Sequence, residues 1–259
     1  MNIWTKIVIT WILFIIVSFS GVVYAATPVR VVVDAYNPPN MYLQNGHAAG
    51  LYSLLLDAIF QRMEHDVSIE AVPWKRAMDM GAQGTAGVAG IYKTPDRLLI
   101  YDYSDPIYTE LLLVFVQKNK TFTFESVKDL EGKRIGVILG WSYGPEFDKA
   151  RAQKTFEVEP VNRDQLNFKK LMDGRLDCVV ASRESGFYEI ARKKHTEILP
   201  LPKSLLSNPT YLAFAKHTHK KDFLMRFNAA LRALKESGEY ELLVKDFMHE
   251  IDFHTIPVQ

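Results

Sequence analysis

Arg97 stands in the setting that first suggests chemistry. It closes the turn Thr94-Pro95-Asp96-Arg97. Thr94 suits the cap of a short helical turn, Pro95 its first position and Asp96 its positive end. Such a turn fixes the backbone at Arg97. A fixed guanidinium presents a planar fork matched to a carboxylate, each charge-assisted bond contributing about 1.5–3 kcal/mol. An ordinary ion pair with Asp102 or Asp105 is the competing use of the same side chain. Ser142 is a second candidate, inside Gly140-Trp141-Ser142-Tyr143-Gly144 between a strand pattern and a helix pattern. Free backbone N–H groups at a helix start attract anions, although the stretch also reads as a plain glycine turn. Trp74, Trp141 and Tyr143 offer aromatic faces that could stack on a ligand or fill a core. Glu184 lies near a helix start, where it either favours the dipole or serves a ligand.

The elements that must position these residues alternate along the chain. VRVVVDAY (29–36) is a β-branched run ended by Asn37-Pro38-Pro39. Residues 50–64 repeat Leu51, Leu54, Leu55, Ala58 and Ile59 at helical spacing. Strand patterns follow at 67–72, 86–92, 111–118, 133–139, 156–161, 176–181, 197–201 and 210–216. Helix patterns fall at 73–83, 126–130, 145–153, 163–172 and 182–194, and two more are split at Gly238. Alternation of this kind predicts an α/β fold with mostly parallel sheets flanked by helices. Its two similar series predict two lobes, with ligand at the strand ends between them. The expected division is 26–110 for the first part of lobe one, 111–207 for lobe two, and 208–259 returning to lobe one with the C-terminal helices.

Composition narrows the function classes. The 259 residues are 48% hydrophobic and 24% charged, an ordinary globular balance. The first 25 differ. Lys6 precedes an uncharged apolar run that ends in Val23-Tyr24-Ala25, which reads as a signal peptide cleaved after Ala25; a retained anchor is the alternative. Lys6 is the only charge before residue 26, so the remainder has one base fewer than the whole-chain 31, against 30 acids. A neutral chain has no electrostatic attraction to nucleic acid or anionic lipid. Cys178 is the single cysteine, which excludes an intrachain disulfide and suits a periplasmic protein with a sufficient core. His217 and His219 sit among lysines in KHTHKK (216–221), which predicts a solvated helix entry rather than a metal site. No cofactor is expected.

The order of motifs resembles a known family. Pro-Pro follows the first strand pattern, and then come VPWKRA, GIYKTPDR, YSDPIY, DLEGKRIGVILGWSYG, DGRLD and KESGEY. Together they resemble the family-3 extracellular solute-binding proteins, the periplasmic polar-amino-acid receptors of ABC importers. The likeness runs from about Val29 to Phe247. It implies a two-lobed periplasmic-binding-protein fold of type II with a ligand cleft between the lobes. It also implies capture of a small carboxylate-bearing solute by hinge closure, delivery to an ABC permease, and a monomer. By the same resemblance Arg97 grips the ligand carboxylate, Gly90, Ile91 and Tyr92 help to hold it, and Ser142 and Trp141 face it from the second lobe. Tyr36 and Asn37 take the place of a stacking aromatic. Two departures stand out. Ser182, followed by Arg183 and Glu184, occupies the position of the usual ammonium-binding aspartate. The first helix reads Gly50-Leu51-Tyr52-Ser53-Leu54-Leu55 in place of the family pattern. The ligand is therefore an amino acid held differently, through Glu184, or a carboxylate of another kind. Two other functions share this scaffold. One is a dehydratase acting on cyclic carboxylates with Glu184 as acid or base, and the other is a sensory binding module. The same fold also appears fused to kinases and transglycosylases, and the end of the sequence at Gln259, soon after the last helix pattern, is expected to count against those fused forms.

Overall fold

The computed structural model describes residues 28–250; the expected signal segment 1–25 lies outside them. The first half runs β1 (Val29–Asp34), β2 (Tyr36–Asn37), β3 (Met41–Gln44), β4 (His47–Ala49), α1 (Leu51–Arg62), β5 (Val67–Val72), α2 (Trp74–Ala82), β6 (Gly87–Ile91), α3 (Pro95–Ile100), β7 (Tyr101–Tyr103) and β8 (Tyr108–Gln117). The second half runs β9 (Arg134–Ile138), α4 (Pro145–Ala152), β10 (Glu157–Val161), α5 (Asp164–Met172), β11 (Cys178–Ser182), α6 (Arg183–Lys193), β12 (Ile198–Pro200), β13 (Leu206–Ala215), α7 (Lys221–Glu236) and α8 (Glu239–Glu250).

The main sheet has the order β10-β9-β11-β8-β13-β6-β1-β5. It is mixed. Within each half the strand–helix–strand units pair in parallel: β1 with β5 and β6, and β9 with β10 and β11. Every antiparallel pairing in this sheet involves β8 or β13. These two long strands join the halves. Leu206–Thr210 of β13 pair with Tyr108–Leu112, whereas Tyr211–Ala215 pair with β6 and β7. The parallel strands are covered on both faces, which explains their continuous apolar runs. Val31, Val32 and Val33 are fully buried, as are Val179 and Val180.

Helices α1 and α7 share one core on the first half. Leu51, Leu55, Leu56 and Ile59 cluster with Phe223, Phe227, Leu231 and Leu234, and the Phe60 and Phe227 rings lie 5.6 Å apart. A separate core forms in the second half around Phe115, Phe168, Leu171 and Leu176. There α6 lies so close to β8 that a Cβ on Gly186 would come within 2.0 Å of the Phe115 ring. Cys178 is free and buried, and burial pushes its thiol up to about 12.

One local feature differs from the sequence reading. The β2–β3–β4 sheet has no counterpart in it. Its hairpin turns on Asn45-Gly46 with φ of 51° and 84°, the two-residue geometry this dipeptide favours. The strands around it are short, and Leu43, Gln44 and His47 are exposed, so the alternation that marks a strand is absent. The apolar run after Arg97 is not core. Leu98, Leu99 and Ile100 sit on α3 with their side chains exposed.

Candidate functional site

Arg97 is positioned by its own turn. Thr94 is the cap of α3, and its Oγ1 accepts the Arg97 N–H at 3.3 Å. Pro95 begins the helix and Asp96 lies in its first turn. The guanidinium then reaches across the molecule. Nη1 donates to Tyr92 O in the first lobe at 3.1 Å, and Nη2 to Gly140 O in the second at 3.2 Å. The Trp74 ring lies below it at 5.9 Å. Arg97 makes no ion pair among the described residues. Asp105, one suggested partner, is taken by Arg232 at 3.0 Å. Burial lowers the Arg97 pKa, yet an arginine remains charged. A cation held by backbone carbonyls alone can still meet an anion.

The glycine turn after β9 is arranged differently from the expectation. The Ser142 hydroxyl donates to Asp148 and accepts the Gly144 N–H at 3.4 Å. Asp148 also accepts the Tyr143 N–H at 3.2 Å and pairs with Arg151 at 2.9 Å. A carboxylate of the chain therefore occupies the donors that a ligand anion would use there. Trp141 and Trp74 pack edge to face across the lobes at 6.2 Å, and Trp141 meets Tyr92 at 6.4 Å. The Trp74 indole donates to Gly140 O at 3.3 Å, while the Trp141 indole N–H faces the Asp34 carboxylate and offsets part of its burial shift.

Deeper along the seam lies a buried polar cluster. Glu110, on β8, is 1% exposed. It accepts from Tyr92 Oη, from Tyr52 Oη at 2.9 Å and from Asn40 Nδ2 at 3.4 Å. Asn40 also reaches Ser182 Oγ at 3.2 Å, and Ser185 Oγ donates to Asn37; both contacts join the two lobes. Glu184 accepts from Tyr108 Oη at 3.0 Å and pairs with Arg183 at 2.8 Å. Burial pushes the carboxyls of Asp34, Glu110 and Asp164 each up to about 7. Glu184 adds to the shift of Glu110 by charge repulsion. Among the described residues, Glu184 Oε2, Asn37 Nδ2 and Asn40 Oδ1 are buried without a partner. Buried polar groups without a partner are costly, and these three lie in one cluster.

A family model described as bacterial extracellular solute-binding proteins, family 3, matches residues 29–250. The chain belongs to this family. Family-3 relatives include the arginine-binding periplasmic protein of Mannheimia haemolytica, 25% identical over 229 residues that cover 86% of this chain and 92% of the relative. Among solved structures, an ancestral arginine-binding protein bound to arginine superposes with a TM-score of 0.73 at 23% identity, covering 86% and 98% of the two chains. A histidine kinase sensor domain with similarity to periplasmic binding proteins reaches 0.75 at 21% identity, covering 85% and 95%. At these identities the structures establish the two-lobed fold, and the named family-3 relative is a binding protein rather than an enzyme.

On this family-3 scaffold the seam gathers the candidates other than Ser142, which Asp148 holds within its own turn, and Tyr36. Arg97, Tyr92, Trp74 and Trp141 form one end, and Ser182 and Glu184 the other. Gly90 has φ of 76°, and a Cβ there would lie 2.6 Å from Met41 Sδ. The positive φ and the close approach of Met41 leave room there only for glycine. Ser182 caps α6 by accepting the Ser185 N–H at 3.2 Å. Tyr36 faces Arg163 at the outer rim, 4.7 Å away. Sequence reasoning missed Asp34, Asn40, Tyr52 and Glu110. Asp34 ends a parallel strand, where ligands gather. Glu110 is an acid heading the apolar run LLLVFV, a placement rare without a partner.

Proposed function

We propose that the chain is the periplasmic substrate-binding component of an ABC importer for a cationic amino acid. The supporting observation is charge placement along one seam: a guanidinium with no carboxylate partner at one end, the buried carboxyls of Asp34 and Glu110 within it, and Glu184 with an unpartnered oxygen at the other end. The ligand carboxylate meets Arg97, and the cationic groups meet Asp34, Glu110 and Glu184. The arginine-binding relatives favour the same reading. Residues 1–25 are the export signal, cut after Ala25, and the mature chain acts as a monomer. Lobe one takes 26–110 and 208–259, and lobe two 111–207; β8 and β13 form the hinge. Each lobe holds part of the ligand, so binding energy is complete only on closure and favours the closed population.

Calorimetric titration of the mature protein with L-arginine, L-lysine, L-glutamine and L-glutamate tests the reading. The two cationic amino acids bind and the acidic one does not. Arg97→Ala weakens binding at least a hundredfold, the loss of two charge-assisted bonds, with the melting temperature of the ligand-free protein little changed. Equal affinity for L-glutamate, or unaltered binding by the variant, overturns it.

A further inference from the structure

The outer rim of the seam carries a different chemistry from its interior. A recess of about 220 Å³ opens there between the lobes. Tyr36 and Tyr42 line it from the first lobe, and Arg163, Gln165, Tyr188 and Arg192 from the second. The interlobe contacts Asn37–Ser185 and Asn40–Ser182 stand on the inner side of these elements.

The walls of this recess are charged and aromatic. The Arg163 guanidinium lies 4.7 Å from the centre of the Tyr36 ring, and it makes neither an ion pair nor a side-chain hydrogen bond among the described residues. Arg192 pairs with Glu189 at 3.1 Å, and Glu189 is the single acid of the lining. The recess is therefore positive by one charge, opposite in sign to the carboxylate-rich interior. Burial pushes the Tyr42 hydroxyl up, and Tyr188 nearby adds to it. A guanidinium stacked on a ring leaves its in-plane N–H donors free for a carboxylate, and phenol rings around it suit a planar apolar body.

We propose that this recess is an accessory site for a small aromatic carboxylate. It is distinct from the solute site at Arg97. Both lobes supply its walls, so an occupant gains its full contacts only when the lobes are closed. Occupation then raises affinity for the transported solute, and by reciprocity the solute raises affinity for the aromatic acid. The second half of this statement rests on the cationic amino-acid reading, while the site itself does not.

Benzoate is the probe, titrated into the mature protein with benzamide as the uncharged control. Benzoate binds saturably and benzamide does not. Arg163→Gln weakens benzoate at least fivefold and leaves L-arginine affinity in the absence of benzoate unchanged. Saturating benzoate tightens L-arginine binding at least threefold in the wild type, and this gain is lost in the variant. Absence of saturable benzoate binding overturns the proposal, as does equal affinity in Arg163→Gln. Loss of benzoate binding in Arg97→Ala but not in Arg163→Gln also overturns it, because the acid would then occupy the solute site. If L-arginine fails to bind while benzoate still depends on Arg163, the accessory site stands and the cationic amino-acid reading falls.

Discussion

Glu110 concentrates the electrostatic tension of this molecule in one side chain. It is buried, and three neighbours donate to it, yet its carboxyl still rises to about 7 because water is excluded. The sign of the consequence is fixed. In the unfolded chain the group titrates near 4.5, so between there and pH 7 the folded state binds more protons. Stability therefore falls as pH rises through that window and levels off above it. Glu110→Gln removes the slope of this one group, on the order of 3 kcal/mol at full extent. Thermal melts of the ligand-free variant between pH 5 and 8 will be flatter than those of the wild type, and its affinity for L-arginine will be at least tenfold weaker. A variant with the wild-type slope and affinity would separate Glu110 from both stability and binding.

At the scale of the element, α3 shows how six residues can aim one cation. Its side chains Leu98, Leu99 and Ile100 are exposed, so the helix is held by its cap rather than by core packing. Thr94→Ala removes the acceptor for the Arg97 N–H, a change of about 1 kcal/mol. L-arginine affinity will fall about fivefold, and the melting temperature will move by only a few degrees. An unchanged affinity would mean that the guanidinium is placed by Tyr92 O and Gly140 O without help from its turn. The cap was legible in the sequence because Thr-Pro-Asp is a local signal. The role of Ser142 was not, because Asp148, which occupies it, arrives from the following helix.

For the whole molecule, the described arrangement is a closed one, with Arg97–Gly140, Asn40–Ser182 and Asn37–Ser185 all joining the lobes. In this arrangement Asp34, Glu110 and Asp164 are buried. Asp34, Glu110 and Asp164 titrate near 7 when the lobes are together and near 4 when solvated. Protonation therefore favours closing, and ionisation at higher pH opposes it. The radius of gyration of the ligand-free protein, measured by small-angle X-ray scattering, will be smaller at pH 6 than at pH 8. Saturating L-arginine will remove the difference, since its cationic groups neutralise the seam. A radius independent of pH without ligand would show that these carboxylates do not resist empty closure.

The sequence by itself determined the alternating α/β order, the buried strands, the capped turn under Arg97 and the family. All of these are written in local periodicity and in residues near one another in the chain. It did not determine which groups complete the site. Glu110 meets Tyr52, 58 positions away, and Asn40 meets Ser182 across 142. Such pairs are created by β8 and β13 crossing between the lobes, and by the cost of burying each polar group without a partner. Only the tertiary structure decided them, because burial and charge neighbours are properties of the packed chain.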